Sequence, residues 1–289
     1  MRHQGIGTWL TKRRLKSPDK TALVYGDAAT MTYREFADGA GRVAAVLGHL
    51  GIGRGDAVAY LGENSPVFLQ TMFGTALAGA AFVPVNTRLA AAEVRHVLTD
   101  CQARALVHDP EFADRAAEVA DGVDHVVGTG AGTADRPGLD RLPGGSAAVA
   151  TVAMDDPAAI IYTSGTTGRA KGAVLTHANL TWVALNCVVD YDVVSTDVAL
   201  MISPLFHVAS LGMGALPVIL KGGTLVLEKG FEPGRALARI ERHRVTMLSG
   251  VPTTYQLMAD HPDWASTDLS SLAKLTCGGS AVPNRILSA

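Results

Sequence analysis

The chain has 289 residues, 48% hydrophobic and 18% charged, with 25 Lys plus Arg against 27 Asp plus Glu. That is enough apolar material for one large core or two smaller ones. A net charge of −2 supplies no basic face for a phosphate backbone, so nucleic acid is excluded as the expected partner.

The one basic cluster, Lys12, Arg13, Arg14 and Lys16, reads as a solvated helix end. Cys101, Cys187 and Cys277 make no CxxC pair and are too few for a disulfide framework. With no signal-peptide pattern at the N-terminus, the expected location is cytoplasmic. Pro66 to Val85 and Met201 to Leu220 are uncharged and each about 20 residues long, the length of a bilayer span. Gln70, Gly74, Gly79 and Pro84 interrupt the first, and Pro204, His207, Gly212, Gly214 and Pro217 the second. Each is therefore expected to be a buried helix joined to a strand, with no transmembrane segment.

In chain order, Thr32 and Glu35 form a T-x-x-E capping signal. Phe36, Ala40, Val43, Leu47 and Leu50 then recur at helical spacing until Gly51 stops the helix. Ala57 to Leu61 reads as a strand, Ser65 to Ala80 as a buried helix and Ala81 to Val85 as a buried strand. Val94, Val97, Leu98 and Cys101 mark another helix face, and Ala105 to His108 and His125 to Val127 are further strands. Thr129 to Ala150 is rich in Gly, Ala and Pro without periodicity, a linker or long loop. It suggests a first α/β region over residues 1–150 and a second over 151–289. Beyond it, Ile160 to Tyr162 is a strand, and Leu180, Val183, Ala184, Cys187 and Val188 form a helix stripe behind a Thr176 cap. Val198 to Ile202, Thr224 to Leu227 and Thr246 to Leu248 are strands separated by helices. Such alternation predicts an α/β fold of layered, mainly parallel sheets flanked by helices. Pro283 has the look of a helix start with six residues after it, so the chain is expected to be a fragment of a longer domain.

The chemistry concentrates between two apolar strands. Thr163, Ser164, Gly165, Thr166, Thr167 and Gly168 follow Ile160-Ile161-Tyr162 and precede Arg169, Lys171 and the strand Ala173-Val174-Leu175. Glycines allow backbone N–H groups close to a polyphosphate, hydroxyls add donors, and a lysine adds a positive charge for phosphoryl oxygens. A flexible linker has similar composition but seldom sits between two apolar strands. The P-loop pattern G-x-x-x-x-G-K-[ST] fails twice: from Gly165, Ala170 stands at the second Gly and Gly172 at the Ser/Thr that would bind magnesium.

The run YTSGTTGRAKGAVLTHANL, Tyr162 to Leu180, resembles the signature of the superfamily of acyl-CoA synthetases, adenylation domains and firefly luciferase. It departs at Ala170, where most members have Pro before the Lys. Similar segments run from about Gly5 to the last residue: MTYREF from Met31, FVPVNTRL from Phe82, PLFHVASLG from Pro204, GVPTTYQLM from Gly250 and LTCGGSAVP from Leu275. Within the superfamily the chain is most similar to bacterial fatty-acyl-CoA and feruloyl-CoA synthetases.

The resemblance implies the N-terminal domain of an acyl-CoA synthetase, truncated. It implies a two-step reaction in which a carboxylic acid and ATP give an acyl-adenylate and pyrophosphate, and CoA then displaces AMP, with Mg2+ as the metal. It places Thr163, Ser164, Gly165, Thr166, Thr167, Gly168 and Lys171 on the β- and γ-phosphates. His207 falls beside the acyl pocket and carboxylate, although by itself it would read as a core histidine at a strand end. Gly278, Gly279 and Ser280 fall under the adenine and acyl chain, in what is also a tight turn. Thr253 and Tyr255 are open between pocket lining and a plain core or surface role, and Arg88 has no assigned role. Cys277 is expected to be a small buried filler.

The family's magnesium-binding aromatic-Gly-x-Thr-Glu segment, ribose-binding Asp and C-terminal domain with its catalytic Lys are expected after Ala289, so no metal ligand is assigned and the 289 residues alone are expected to be inactive. A fatty acid is the leading substrate class, with a hydroxycinnamate such as ferulate as the rival. A carrier-protein-loading enzyme and a non-catalytic module that binds nucleotide or acyl groups are the other readings. A cut domain would expose core surface, in keeping with a homodimer.

Overall fold

The computed structural model describes residues 5–26, 29–130, 138–140, 142, 149–163 and 169–279. In chain order the elements are α1 (Thr8–Lys16), β1 (Thr21–Tyr25), β2 (Ala29–Thr32), α2 (Tyr33–His49), β3 (Ala57–Leu61), α3 (Pro66–Ala78) and β4 (Ala81–Val85). There follow α4 (Ala91–Asp100), β5 (Ala103–His108), α5 (Ala113–Val119), β6 (His125–Gly128), β7 (Pro157–Thr163), β8 (Lys171–Thr176) and α6 (His177–Asp190). After β9 (Val198–Met201) come a π-helical stretch (Ala209–Ala215), α7 (Leu216–Lys221), β10 (Thr224–Leu227), α8 (Pro233–His243), β11 (Met247–Gly250), α9 (Pro252–Ala259) and β12 (Lys274–Cys277).

The strands form two six-stranded sheets, ordered β6-β5-β3-β4-β7-β8 and β12-β11-β9-β10-β1-β2. All pairings are parallel except β7 with β8 and β1 with β2, which put one antiparallel strand on an edge of each sheet. The expected mainly parallel α/β architecture is what is found. Every residue of β3 and β4 is buried, as strands covered on both faces require.

The compact units do not follow the expected division at residue 150. The first comprises Met1–Pro18 and Tyr33–Trp182, the second Asp19–Thr32 and Val183–Ala289. Strand pairing is the reason: Phe82 on β4 pairs with Ala159 on β7, so the β7–β8 hairpin completes the first sheet. The β1–β2 hairpin, early in the chain, adds to the second sheet by pairing Leu23 with Leu225. Nor are the described parts of the 129–150 segment a linker between the units. Leu139 and Asp140 donate backbone hydrogen bonds to Gly128 and Gly130, and Ala150 to Leu77, all within the first unit.

In the first unit, α3 is capped by Ser65, whose hydroxyl accepts from the Phe68 N–H at 3.1 Å, with Pro66 at its first position and left-handed Gly79 at its end. Ser, Pro and Gly at these places are each favoured by the helix-end geometry. The α2 helix packs on α3 at Gly74, where a Cβ would lie 2.6 Å from Val43 Cβ and 2.7 Å from the Ala40 carbonyl oxygen. In the second unit, α8 packs on a core of Val24, Leu200, Val226, Leu237, Ile240 and Leu248. Arg239 on α8 meets Glu228 at 2.6 Å, both nearly buried, and also donates to the Gly26 carbonyl at 2.6 Å.

Two glycines in this helix pair are expected to respond in opposite directions. Gly74→Ala meets rigid backbone and Cβ atoms, and overpacking outweighs the helix-propensity gain, a net loss of about 1–3 kcal/mol. Gly41→Ala on α2 has nothing within 4 Å of its new methyl group and is expected to stabilise by about 0.5–1 kcal/mol. Chemical denaturation of the two variants checks the signs; a stabilising Gly74→Ala contradicts the packing.

Candidate functional site

The antiparallel pairing of β7 with β8 sets Ile160 opposite Val174, Tyr162 opposite Gly172 and Thr163 opposite Lys171. Residues 164–170 bridge the end of this hairpin. Of the expected phosphate-binding residues, Thr163 and Lys171 therefore stand side by side at the mouth of the loop. Ser164, Gly165, Thr166, Thr167 and Gly168 lie outside the described residues, as does Ser280.

Gly172 has a packing role that the motif alone does not reveal. A Cβ there would be 2.8 Å from Ile160 Cγ2 and 3.0 Å from Tyr162 Cζ, so its missing side chain is what lets the Tyr162 ring lie across β8. Tyr162 and Ile160 pack on the core cluster that α4 contributes to. The Tyr162 hydroxyl donates to Asp100 on α4 at 2.5 Å; burial and this carboxylate hold the phenol well above its ordinary pKa, so it stays neutral. At the end of β8, Thr176 caps α6: its hydroxyl accepts from Asn179 N–H, and the Asn179 side chain accepts from Thr176 N–H. The expected Thr176 cap is thus present.

Arg169 and Lys171 are exposed, and among the described residues neither lies within ion-pair distance of a carboxylate. Two uncommitted cations beside a Gly/Ser/Thr loop suit a polyphosphate. Among the described residues no group of three His, Cys, Asp or Glu is placed to hold a metal ion.

The remaining candidates belong to the second unit. His207 is exposed, which removes the core-histidine reading. Its ring lies against Phe206 at 4.6 Å between centroids, and its carbonyl accepts from Leu211 N–H at 3.0 Å as the π-helical stretch begins. Such wide turns are frequent at functional sites. Within that stretch Gly212 faces Val183 and Val208, whose methyl carbons lie 3.7 and 3.8 Å from where a Cβ would stand. Both valines are partly exposed, 37% and 44%, giving an open apolar surface one turn from His207.

Tyr255 points its hydroxyl at the backbone carbonyls of Leu248, 3.0 Å away, and Thr276, 2.7 Å away. It ties β11 to β12 just below Gly278 and Gly279, while its ring packs on the second unit's core. Thr253 is exposed in the first turn of α9. Gly279 has φ +81°, a left-handed conformation that favours glycine. Cys277 is not the expected buried filler: it is exposed, because β12 is an edge strand on which Leu275 and Cys277 share an uncovered face.

Sequence reasoning missed two groups. Tyr60, Glu63, Asp109 and Thr129 join the ends of β3, β5 and β6 through Asp109, which accepts from the Tyr60 hydroxyl at 2.6 Å, the Thr129 hydroxyl at 3.2 Å and Glu63 N–H at 3.1 Å. His96 and Asp100 on α4 reach the β7–β8 hairpin. Their i, i+4 spacing was visible, but not that α4 neighbours the loop.

The model of the family described as "AMP-binding enzyme" matches residues 10–289. The chain belongs to the AMP-binding enzyme family. Among curated relatives, it is 46% identical over 98% of its length to a feruloyl-CoA synthase of Amycolatopsis, covering 56% of that protein. It is 32% identical over 98% of its length to the long-chain-fatty-acid–CoA ligase FadD13 of Mycobacterium tuberculosis, covering 57% of that protein. A solved N-terminal domain of FACL13 from Mycobacterium tuberculosis superposes with a TM-score of 0.89 at 32% identity, covering 98% of this chain and 72% of that one. The chain thus spans just over half the length of the curated family members it matches. No helix among the described residues is long and apolar enough to cross a membrane.

The Gly172 packing yields a direct test of the family motif's structural role here. Gly172→Val is expected to expel the Tyr162 ring from its place, costing about 1–3 kcal/mol by overpacking. Denaturant unfolding with tyrosine absorbance as the probe measures both effects; an unchanged midpoint contradicts the close approach.

Proposed function

We propose that the protein carrying this chain is an aryl-acid:CoA ligase acting on a hydroxycinnamate such as ferulate. The observation that carries this reading is the 46% identity with a feruloyl-CoA synthase over 98% of the chain. It reverses the sequence-based preference for a fatty acid, which remains the second reading because of the 32% identity to FadD13.

In the proposed reaction a carboxylate oxygen attacks the α-phosphorus of ATP, forming the acyl-adenylate and releasing pyrophosphate. The CoA sulfur then attacks the acyl carbon, the acyl carbon–oxygen bond to the phosphate breaks, AMP leaves with its electron pair, and the thiol proton passes to solvent. One anion attacking another requires the phosphate charge to be screened. Lys171, Thr163 and the loop residues Ser164, Gly165, Thr166, Thr167 and Gly168 are assigned to the β- and γ-phosphates, which the exposed cations at the hairpin mouth support. Mg2+ would add its own charge when bound; its ligands are not assigned to this chain.

His207 is assigned a place beside the substrate carboxylate, supported by its exposure next to the open apolar surface of Val183, Val208 and Gly212. Gly278, Gly279 and Ser280 are assigned to the adenine, where glycine at 279 lets a planar ring approach the backbone. Thr253 is kept as a pocket residue. Tyr255 would contribute only its ring, since its hydroxyl is held by two carbonyls. A cytoplasmic enzyme, with CoA as acceptor and a homodimer as its assembly, completes the reading.

The test is CoA-dependent thioester formation by the whole gene product with ferulate and palmitate as competing acids. Ferulate is expected to have a kcat/KM at least about tenfold higher, the scale on which pockets discriminate apolar shapes. Preference for palmitate restores the fatty-acid reading, and no thioester with either acid favours a non-catalytic module. Gly212→Leu is expected to raise the KM for ferulate about tenfold or more by filling the space between Val183 and Val208, with the KM for ATP unchanged. An unaltered ferulate KM removes Gly212 from the pocket.

A further inference from the structure

The mouth of the phosphate loop is held from one side by α4. That helix is fixed by Val94, Val97 and Leu98, which are buried in the same cluster as Leu106, Val119 and the partly buried Ile160 and Tyr162. His96 and Asp100 stand four residues apart and therefore on one helix face. Asp100 accepts the hydrogen bond of Tyr162, on the strand that enters the loop, at 2.5 Å. His96 Nε2 lies 3.0 Å from the carbonyl oxygen of Ala170, on the segment that leaves it. A carbonyl only accepts, so Nε2 carries the proton and His96 donates.

Both stems of the loop are thus tied to one rigid helix, on either side of the Thr163–Lys171 pair. Two fixed points, at Tyr162 and Ala170, hold the backbone beside that pair before a ligand arrives.

We propose that His96 is a positioning residue for the phosphate loop: by holding the Ala170 carbonyl it sets the direction in which Lys171 leaves the hairpin, with Asp100 and Tyr162 holding the opposite stem. This rests on the phosphate-loop reading given above. His96 acts through the Ala170 carbonyl, and its effect is confined to the polyphosphate. A glutamine at this position offers an N–H donor at similar reach, whereas alanine offers none.

The experiment is ATP–pyrophosphate exchange by the whole gene product with ferulate, comparing wild type with His96→Ala, His96→Gln and Lys171→Ala. His96→Ala is expected to raise the KM for ATP about five- to tenfold, the worth of one hydrogen bond. The KM for ferulate and the denaturation midpoint should stay at the wild-type values, and His96→Gln should recover most of the ATP affinity. An ATP KM unchanged in His96→Ala while Lys171→Ala raises it overturns the brace and leaves the phosphate loop standing. Failure of His96→Gln to rescue, with a lowered midpoint in both His96 variants, also overturns it by showing a role in folding alone. An unchanged ATP KM in Lys171→Ala overturns the phosphate-loop reading and the brace with it.

Discussion

The cross-strand pairing of Tyr162 with Gly172 is the constraint on which the first unit's site depends. A parallel sheet covered on both faces has no place for an exposed loop except at its strand ends. Here the last two strands pair antiparallel, which turns the chain back on itself and puts Thr163 beside Lys171. The ring of Tyr162 needs the space that Gly172 leaves empty, and its hydroxyl donates to Asp100, which α4 supplies. Aromatic, glycine and carboxylate therefore belong to one packing solution, and the charge at Lys171 is aimed as a consequence.

The second unit solves a different problem. Its strands end at the exposed His207 region and at the Gly278–Gly279 turn, and side chains behind these ends hold them. Tyr255 bridges two strand carbonyls. At the opposite ends of the strands, Lys274 meets Asp197 at 2.6 Å while Thr246 donates to the same carboxylate at 2.8 Å. Burial alone would raise the Asp197 pKa; hydrogen bonds from Lys274, Val194 N–H and Thr246 outweigh it and bring the pKa below its ordinary value. Between these held strand ends lies the exposed apolar surface of Val183, Val208 and Gly212, to which the proposed function assigns the acid.

Much of the fold was legible because local signals agreed with one another. Ser65, Pro66 and Gly79 bound α3 as their residue types demand, and the continuous apolar runs of Ala57 to Leu61 and Ala81 to Val85 are fully buried strands. Non-local pairing was not legible. Nothing in the neighbourhood of Leu23 says that it pairs with Leu225, or that Phe82 and Ala159 are partners, so a composition shift at residues 129–150 was mistaken for a boundary. The same limit hid α4: His96 and Asp100 carry no motif of their own and gain meaning only from the strand they touch. Cys277 was misjudged because burial was assumed for an edge position. The proposed phosphate loop is the reverse case, read from residue chemistry and family resemblance while five of its residues lie outside those described.

The central claim is that the β7–β8 hairpin presents Lys171 to a polyphosphate. The most direct measurement is the labelling rate of individual lysines by an amine-reactive reagent in the whole gene product, followed by mass spectrometry with and without ATP. The account predicts that ATP slows labelling of Lys171 strongly while Lys12 and Lys16, on α1, react at the same rate in both states. Equal labelling of Lys171 with and without saturating ATP would contradict it.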